Sequence, residues 1–404
     1  MGRRHLGGIA ILGRSDFANI ELAAVCDLHR DNADFLADEA ATLLGYRPAV
    51  FYDVAEMVRA VDGLDGVSIT TDVNAHHRIA ERCFANGLHV QTEKPMGLTM
   101  RACNAMLAAA AESWRILSVA ENYRRDPINR LIRALIDDGA IGTPRQILLI
   151  GVGGGDGIML TPWRHLKNRG GLVLEIAVHF TDLFRYYFGE ITAVSGRVRL
   201  FEPVRRPASI SGPGGYYERW AAQMPETVEA TAEDAAYGSI DFANGAVGEL
   251  IYNGGAFGQA INLRTIHGSR GSIDSPGDRN GRPLSLFLAD GTTIADERIL
   301  EYAPSYRLSP PAAHFFGGER VWTYQLPFNE IDQRLLALEY HEFGDCIQTG
   351  YAPEVSGLDG RRAVAAIYAI FESALAGRVV TLDEIESVAI DAYQREIDIS
   401  MGLI

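Results

Sequence analysis

Glu175 and His179 stand four residues apart in the run LVLEIAVHFTDLFRYYF, residues 172–188. Its apolar spacing predicts a helix, and on a helix residues i and i+4 project from one face. A carboxyl and an imidazole on a common face can share a proton with a hydroxyl group. On a solvated helix such a pair would be worth only a few tenths of a kcal/mol. This run is apolar almost all round, however, so both polar groups lie in or beside a core. A buried polar group without a partner is costly, which favours a functional site over a surface pair. Lys94 is the second candidate. It comes after the short strand expected at 89–92 and Glu93, and precedes Pro95. It therefore reads as the residue leaving a buried parallel strand, at the carboxyl edge where such sheets bind ligands. Taken alone, a Lys-Pro pair is more often a surface turn.

Positioning these groups requires a sheet and covering helices. Residues 21–27 (ELAAVCD) read as a strand ending on an acid, 32–44 as a helix, 49–52 as a short strand and 54–60 as a helix. A buried strand at 66–71 (GVSITT) precedes a helix at 76–86 closed by Gly87, a residue favoured just past helix ends. A strand at 89–92, an alanine-rich helix at 99–112 and a strand at 116–120 complete the series. Short apolar runs alternating with helical patterns mark a parallel sheet wrapped by helices, a Rossmann-type α/β domain.

After Asn122 the texture changes. A helix at 126–138, a strand at 145–151 and the helix at 172–188 lead into alternating segments at 191–200, 235–242, 246–253, 262–267 and 284–288. Asn244-Gly245 is a strong hairpin signal. The expectation is an α+β second domain with a large, mainly antiparallel open sheet covered by helices on one face. Helices follow at 329–349 and 359–376. The domains are thus 1–121 and 122–404, with the helices near 359–376 packing back toward the first. Residues 203–225 and 276–327, rich in Pro, Gly and aromatics, read as loops or insertions.

The bulk properties narrow the field. A length of 404 residues favours two cores over one. With 47% apolar and 22% charged residues the chain is globular. A net charge of −15 argues against nucleic acid, which needs clustered Lys and Arg. No run approaches the roughly 18–20 apolar residues of a membrane span. Arg3 and Arg4 precede only a short apolar stretch broken by Gly7, Gly8 and Gly13, which argues against a secretory leader. Cys26, Cys83, Cys103 and Cys346 lack metal-ligand spacing and read as reduced thiols in the cytoplasm, with no metal expected.

The order of motifs resembles the glucose–fructose oxidoreductase/inositol dehydrogenase (Gfo/Idh/MocA) family along nearly the whole chain. The resemblance is carried by TTDVNAHHRIA (70–80), GLHVQTEKP (87–95), ENYRRDP (121–127), WRHLKNRGGLVLEIAVHFTDLFRYYFG (163–189), EDAAYGSIDFANGAVGEL (233–250), HGSRGSI (267–273) and VSGLDGRRAVAAIYAIFESALAGRVV (355–380). It implies an oxidoreductase moving a hydride between a nicotinamide cofactor and a secondary hydroxyl or ketone of a sugar, glycoside or cyclitol. It also implies that Lys94 touches both nicotinamide and substrate. Beside a cationic ring and partly buried, the ammonium is disfavoured, which suits Lys94 to handle a hydroxyl proton near neutral pH. His179 would be its acid/base or hydroxyl-binding partner. The family normally carries Asp where this chain has Glu175, so that carboxylate either binds substrate or orients His179. Tyr123, Arg124, Trp163 and Arg164 match positions that line the sugar pocket in similar proteins, or else they pack between domains. Tyr216, Tyr217 and Trp220 would cap a glycoside or join subunits. A cis bond before Pro95 and a homodimer or homotetramer are further implications.

The resemblance places cofactor contacts at Gly2, Arg3, Asp27, Thr70, Thr71, His76, Glu93 and Lys94. Gly2 falls on the third glycine of the family's G-x-G-x-x-G loop, and the first strand and first two glycines have no counterpart. Asp27 lies where an acid takes the ribose hydroxyls, favouring NAD, while Arg30 leaves room for NADP. The expectation is a true start about ten or more residues upstream, and weak cofactor binding by the chain as it stands. Two other readings compete with a dehydrogenase. One is a glycosidase that oxidises a sugar carbon transiently with NAD; the other is a non-catalytic relative that kept only the fold.

Overall fold

The computed structural model describes residues 1–207 and 224–404. Tyr216, Tyr217 and Trp220 lie outside the described residues. The chain forms two compact units. The first comprises Met1–Gly97, Ala102–Asn122 and Asn329–Gly360, and the second Leu98–Arg101, Tyr123–Phe328 and Arg361–Ile404. The segment that returns to the first unit is therefore 329–360. Most of the helix Gly357–Ala376, which the sequence suggested as the returning element, groups with the second.

In the first unit, β1 (Ala24–Cys26) pairs in parallel with β2 (Ala49–Phe51). Separately, β3 (Gly66–Ile69), β4 (His89–Glu93) and β5 (Leu117–Ala120) form a parallel sheet in that order. The helices are α1 (Gly2–Gly13), α2 (Arg30–Leu44), α3 (Val54–Ala60), α4 (Val73–Ala85) and α5 (Met100–Ser113). Their ends follow local chemistry. The Asp53 carboxylate accepts from the Glu56 N–H at 3.0 Å to start α3, and Gly45, at φ 83°, stops α2. Val90–Glu93 of β4 are all buried, as expected of a parallel strand covered on both faces.

Helix α1 packs on the helix Phe328–Thr349 through its glycines. A Cβ at Gly8 would lie 2.6 Å from Leu336 Cβ, and one at Gly7 2.6 Å from Gln333 Nε2. Arg4 pairs with the buried Asp332 in the same contact. Between β1 and β3 lies a cavity of about 550 Å³, lined by both strands, by α1 and by the helix Phe328–Thr349. Among the described residues β1 has a strand partner only in β2, and the only partner of β3 is β4.

The second unit is built on a nine-stranded sheet. After α6 (Pro127–Asp137), β6 (Pro144–Gly154) and α7 (Leu172–Phe188) come β7 (Ile191–Arg199) and the small ribbon β8 (Val204–Arg205) and β9 (Val228–Glu229). The rest of the sheet is β10 (Ala235–Phe242), β11 (Val247–Ala256), β12 (Ile261–Gly268), β13 (Gly271–Ser275), β14 (Ser285–Leu288), β15 (Thr293–Ile294) and β16 (Val380–Thr381). Their order is β15-β14-β13-β12-β6-β11-β10-β7-β16, and only the β6–β11 pair is parallel. Gly245, at φ 84°, makes the β10–β11 hairpin. α7 packs on β6, β10 and β11. Ile370 of the helix Gly357–Ala376 sits where Gly196 and Gly238 leave no side chain, its oxygen only 2.4 Å from a Cβ at Gly196.

Candidate active site

In the first unit the end of β4 is tied from below. The buried Glu93 carboxylate contacts His5 Nε2 at 2.9 Å and accepts from the Lys94 backbone N–H at 3.0 Å. His5 reaches the Tyr340 hydroxyl through Nδ1 at 2.9 Å. Burial pushes the Glu93 carboxyl up, but the hydrogen bond and charge of His5, with Lys94 and Arg4, hold it well below the usual carboxylate range. An anion fixed beneath a half-buried lysine steadies the backbone from which Lys94 springs. The Lys94–Pro95 bond is cis. His76, 1% exposed, bridges the loops that follow β3 and β4: Nε2 meets Thr71 O at 3.1 Å and Nδ1 meets Pro95 O at 3.1 Å. It holds the Thr70–Thr71 and Lys94–Met96 turns in register.

The residues at the β1 edge are partly engaged. Asp27 accepts from the His29 N–H at 2.8 Å at the end of β1. Arg3 pairs with Glu39 and lies over the Phe35 ring, and Arg30 lies 4.1 Å from the centre of the Tyr52 ring. Gly2 opens α1, and a Cβ there would stand 3.7 Å from Thr70 Oγ1. An acid at the end of a strand, a bare helix N-terminus and two threonines after the next strand are donors and acceptors that fit a dinucleotide.

In the second unit α7 carries both polar groups of the helical pair, Glu175 at 3% exposure and His179 at 6%. The His179 ring stacks on Tyr123, centroids 4.0 Å apart and planes 3° from parallel. Arg279 lies over the same tyrosine at 4.9 Å, and its Nη2 donates to the Tyr123 hydroxyl at 3.3 Å. One turn further along α7, Asp182 takes two hydrogen bonds from Arg124, at 2.6 and 2.5 Å, both partners being buried. Arg124 thus braces the turn bearing Tyr123 against α7. Glu175 Oε2 is 3.9 Å from Arg164 Nη2. A Cβ at Gly170 would fall 3.1 Å from Glu175 Oε1 and 3.2 Å from the Trp163 ring, so glycine there leaves space beside the carboxylate.

Sequence reasoning missed the support beneath Tyr123. Asn129 Nδ2 donates to Tyr123 O and to Asp278 Oδ1, both at 2.8 Å, and Arg264 grips Asp278 with two nitrogens. Burial pushes Asp278 up, but Arg264 holds it below the ordinary value. Asp126 accepts from the Arg279 N–H, the Ile128 N–H and the Tyr324 hydroxyl, and burial pushes it up to about 6. The loop over 276–282, read as an insertion, supplies Asp278 and Arg279. No local pattern signals residues that meet from 150 positions away.

His165, on the turn Pro162–His165, gives the clearest pH dependence. Its Nε2 accepts from the Met159 N–H at 3.0 Å. Burial, followed by the charges of Arg205 and Arg164, lowers it from 6.5 to about 4. The unfolded chain accepts a proton there that the folded chain refuses. Stability is therefore whole above about pH 6.5 and declines as pH falls toward 4, by at most about 1.4 kcal/mol per pH unit. Denaturant melts between pH 4.5 and 7 are expected to show a shallower decline for His165→Gln than for the wild type. Equal slopes would remove His165 as the cause.

Residues 1–121 match a family model described as oxidoreductase family, NAD-binding Rossmann fold. Residues 133–382 match its companion, oxidoreductase family, C-terminal alpha/beta domain. The chain belongs to the Gfo/Idh/MocA oxidoreductase family. Within this family it is similar to a D-apiose dehydrogenase of Paraburkholderia graminis, 26% identical across 93% of this chain and 86% of the relative. A levoglucosan dehydrogenase of Pseudarthrobacter phenanthrenivorans is 29% identical across 84% and 85%. The inositol 2-dehydrogenase of Rhizobium meliloti is 23% identical across 95% and 98%. Among solved structures, a levoglucosan dehydrogenase in complex with NADH and levoglucosan superposes with TM-score 0.73, at 24% identity over 95% of this chain and 96% of that one. The Gfo/Idh/MocA chain is thus an NAD-type Rossmann domain followed by the family's α/β domain, with Lys94 on the first and the Glu175–His179 pair on the second. No helix among the described residues is long and apolar enough to cross a membrane.

Proposed function

We propose that this Gfo/Idh/MocA protein oxidises a secondary hydroxyl of a sugar, glycoside or cyclitol with NAD, or runs the reverse reduction, and that Lys94, His179 and Glu175 are its catalytic residues. The observation that carries this is the preparation of Lys94 and His179. Lys94 rises from backbone tied to an ionised, buried Glu93. His179 is held flat against Tyr123. Bound NAD supplies the hydride acceptor. Lys94 takes the hydroxyl proton as the carbon gives up its hydride, and His179 serves as an acid/base or hydroxyl-binding group. Glu175, beside Arg164 and Trp163, binds a neighbouring hydroxyl; Tyr123 serves chiefly to orient His179. Arg124 works at one remove, through Asp182.

Asp27 supports NAD over NADP, because a carboxylate repels a 2′-phosphate. The placement of Arg30 over Tyr52 supports the same choice. Four free cysteines, three of them buried, support a cytoplasmic setting. The uncovered face of the large sheet carries Val247, Ile261 and Leu263, exposed by 43, 49 and 38%, and this is the surface through which copies would pair into a dimer or tetramer.

The test is a screen of sugars, cyclitols and glycosides with NAD and NADP, following absorbance of the reduced ring. Net accumulation of NADH with at least one polyol is expected. Silence across polyols with proven cofactor binding would sink the proposal. With the responding substrate, His179→Ala is expected to lower kcat about 10²-fold or more with little change in NADH affinity, and Tyr123→Leu to lower it less and shift its pH profile. Loss of NADH affinity with unchanged kcat would move His179 out of the substrate site.

A further inference from the structure

We infer that Arg279 is a positioning residue for the reaction: its guanidinium fixes the Tyr123 ring in the plane on which His179 is stacked. This rests on the substrate role proposed above for His179, and it explains why a charged side chain is carried on a strained turn.

Among the described residues, four other than glycine have a left-handed backbone: Trp114, Leu160, Arg279 and Val388. Trp114 and Val388 follow the ends of the helices Met100–Ser113 and Leu382–Glu386, where chains commonly turn that way. Arg279, at φ 53°, closes no helix. It stands in the loop over 276–282, in a conformation that crowds its Cβ against the following carbonyl. Such strain persists only where the surroundings over-determine it, and it gathers at functional sites. Here the surroundings do so. The Arg279 N–H donates to Asp126 Oδ2 at 2.7 Å. Asp278, the residue before, is gripped by Arg264 and Asn129. Asn280, the residue after, donates to Pro276 O at 2.8 Å. None of these bonds uses the Arg279 side chain. The loop keeps its course without it, and the strained backbone serves to aim it.

It is aimed at Tyr123. The guanidinium carbon lies 4.9 Å from the centre of the Tyr123 ring and 5.0 Å from that of Phe328, within the range of a cation–π contact. Its Nη2 donates to the Tyr123 hydroxyl at 3.3 Å. At the backbone end of the same residue, Tyr123 O accepts from Asn129 at 2.8 Å. The tyrosine is thus held at both ends. The His179 ring lies 3° from parallel with it, centroids 4.0 Å apart. A side chain on a helix has more than one staggered rotamer open to it; a flat ring held in place selects one. An apolar residue at 279 would pack against Tyr123 but give up the hydrogen bond and the charge.

The test is Arg279→Gly in the full chain. Glycine takes positive φ without strain and keeps the N–H for Asp126, so the melting temperature is expected to stay within about 3 °C of the wild type. With the responding polyol, kcat is expected to fall about 10²-fold, the effect of displacing a reacting group by about 1 Å. KM is expected to change less than about threefold. A second reading needs no substrate. In nuclear magnetic resonance of protein labelled in its histidine rings, the His179 signal, assigned through His179→Gln, is expected upfield in the wild type because of the stacked Tyr123. In Arg279→Gly it is expected to move back toward the other histidines. An unmoved His179 signal overturns the inference, and so does a kcat within about threefold of wild type. If Arg279→Gly fails to fold, Arg279→Met, which keeps an apolar stem against both rings, is read in the same two ways, and retention of either property is equally fatal. A displaced signal in a protein whose wild type oxidises no polyol upholds Arg279 as the residue that positions His179 and counts against the substrate reading, so the two failures are distinguishable.

Discussion

Replacing Lys94 by alanine is expected to lower kcat by about 10²–10⁴-fold while the protein stays folded. The side chain stands half-buried at a strand end, and the hydrogen bond to Glu93 is donated by the backbone N–H, which any residue but proline retains. The melting temperature should therefore move little. Lys94→Arg sharpens the result: arginine keeps the charge but does not release its proton near neutral pH, so it too should be nearly inactive. Activity of Lys94→Ala within about tenfold of wild type, a cost near 1.4 kcal/mol, would remove Lys94 from the chemistry. Normal kcat for Lys94→Arg would reduce its role to that of a fixed charge.

Asp234→Ala is expected to cause the largest loss of stability, about 3–5 kcal/mol. Its carboxylate accepts from Arg205 Nη2 at 2.6 Å and from the N–H groups of Phe201 and Glu202 at 2.9 and 2.8 Å. Arg205 is 0% exposed and also donates to Gly155 O at 2.7 Å. Removing the acid strands a guanidinium in the interior and frees two backbone donors at the end of β7. The double variant Arg205→Met with Asp234→Ala removes the stranded charge, so it should be the more stable of the two. Equilibrium denaturation decides it. A single-variant loss below about 1 kcal/mol, or a double variant worse than the single, would show that the ion pair is not what holds this corner.

Much of this was legible before any coordinates. Val54–Ala60, Leu172–Phe188 and Ala235–Phe242 have the limits their patterns suggested, because a period of 3.6 or 2 and a clear cap or turn are local facts. The family followed from the order of several weak motifs, and the family models match over 1–121 and 133–382. Pairing partners were harder. Alternation in β6 and β11 announces strands but not that they run parallel. Amphipathy in Phe328–Thr349 announces a helix but not that its partner is α1, since the deciding contacts, Arg4 with Asp332 and Gly8 with Leu336, span more than three hundred residues. The resemblance pointed to Tyr123 but not to its neighbours. Stacking on His179 and support from Arg279 depend on loops whose course no periodicity records.

The inclusion of 329–360 in the first unit bears on how the protein is made. While α1 to β5 emerge from the ribosome, the helix that covers Gly7 and Gly8 is still unsynthesised. The nascent half must wait with an apolar flank open until more than two hundred further residues have been added. Domains ordinarily mature in the order of translation; this one is finished late. Cutting the gene after codon 122 would accordingly yield a sticky fragment, a natural client for chaperones, rather than a freestanding nucleotide-binding module.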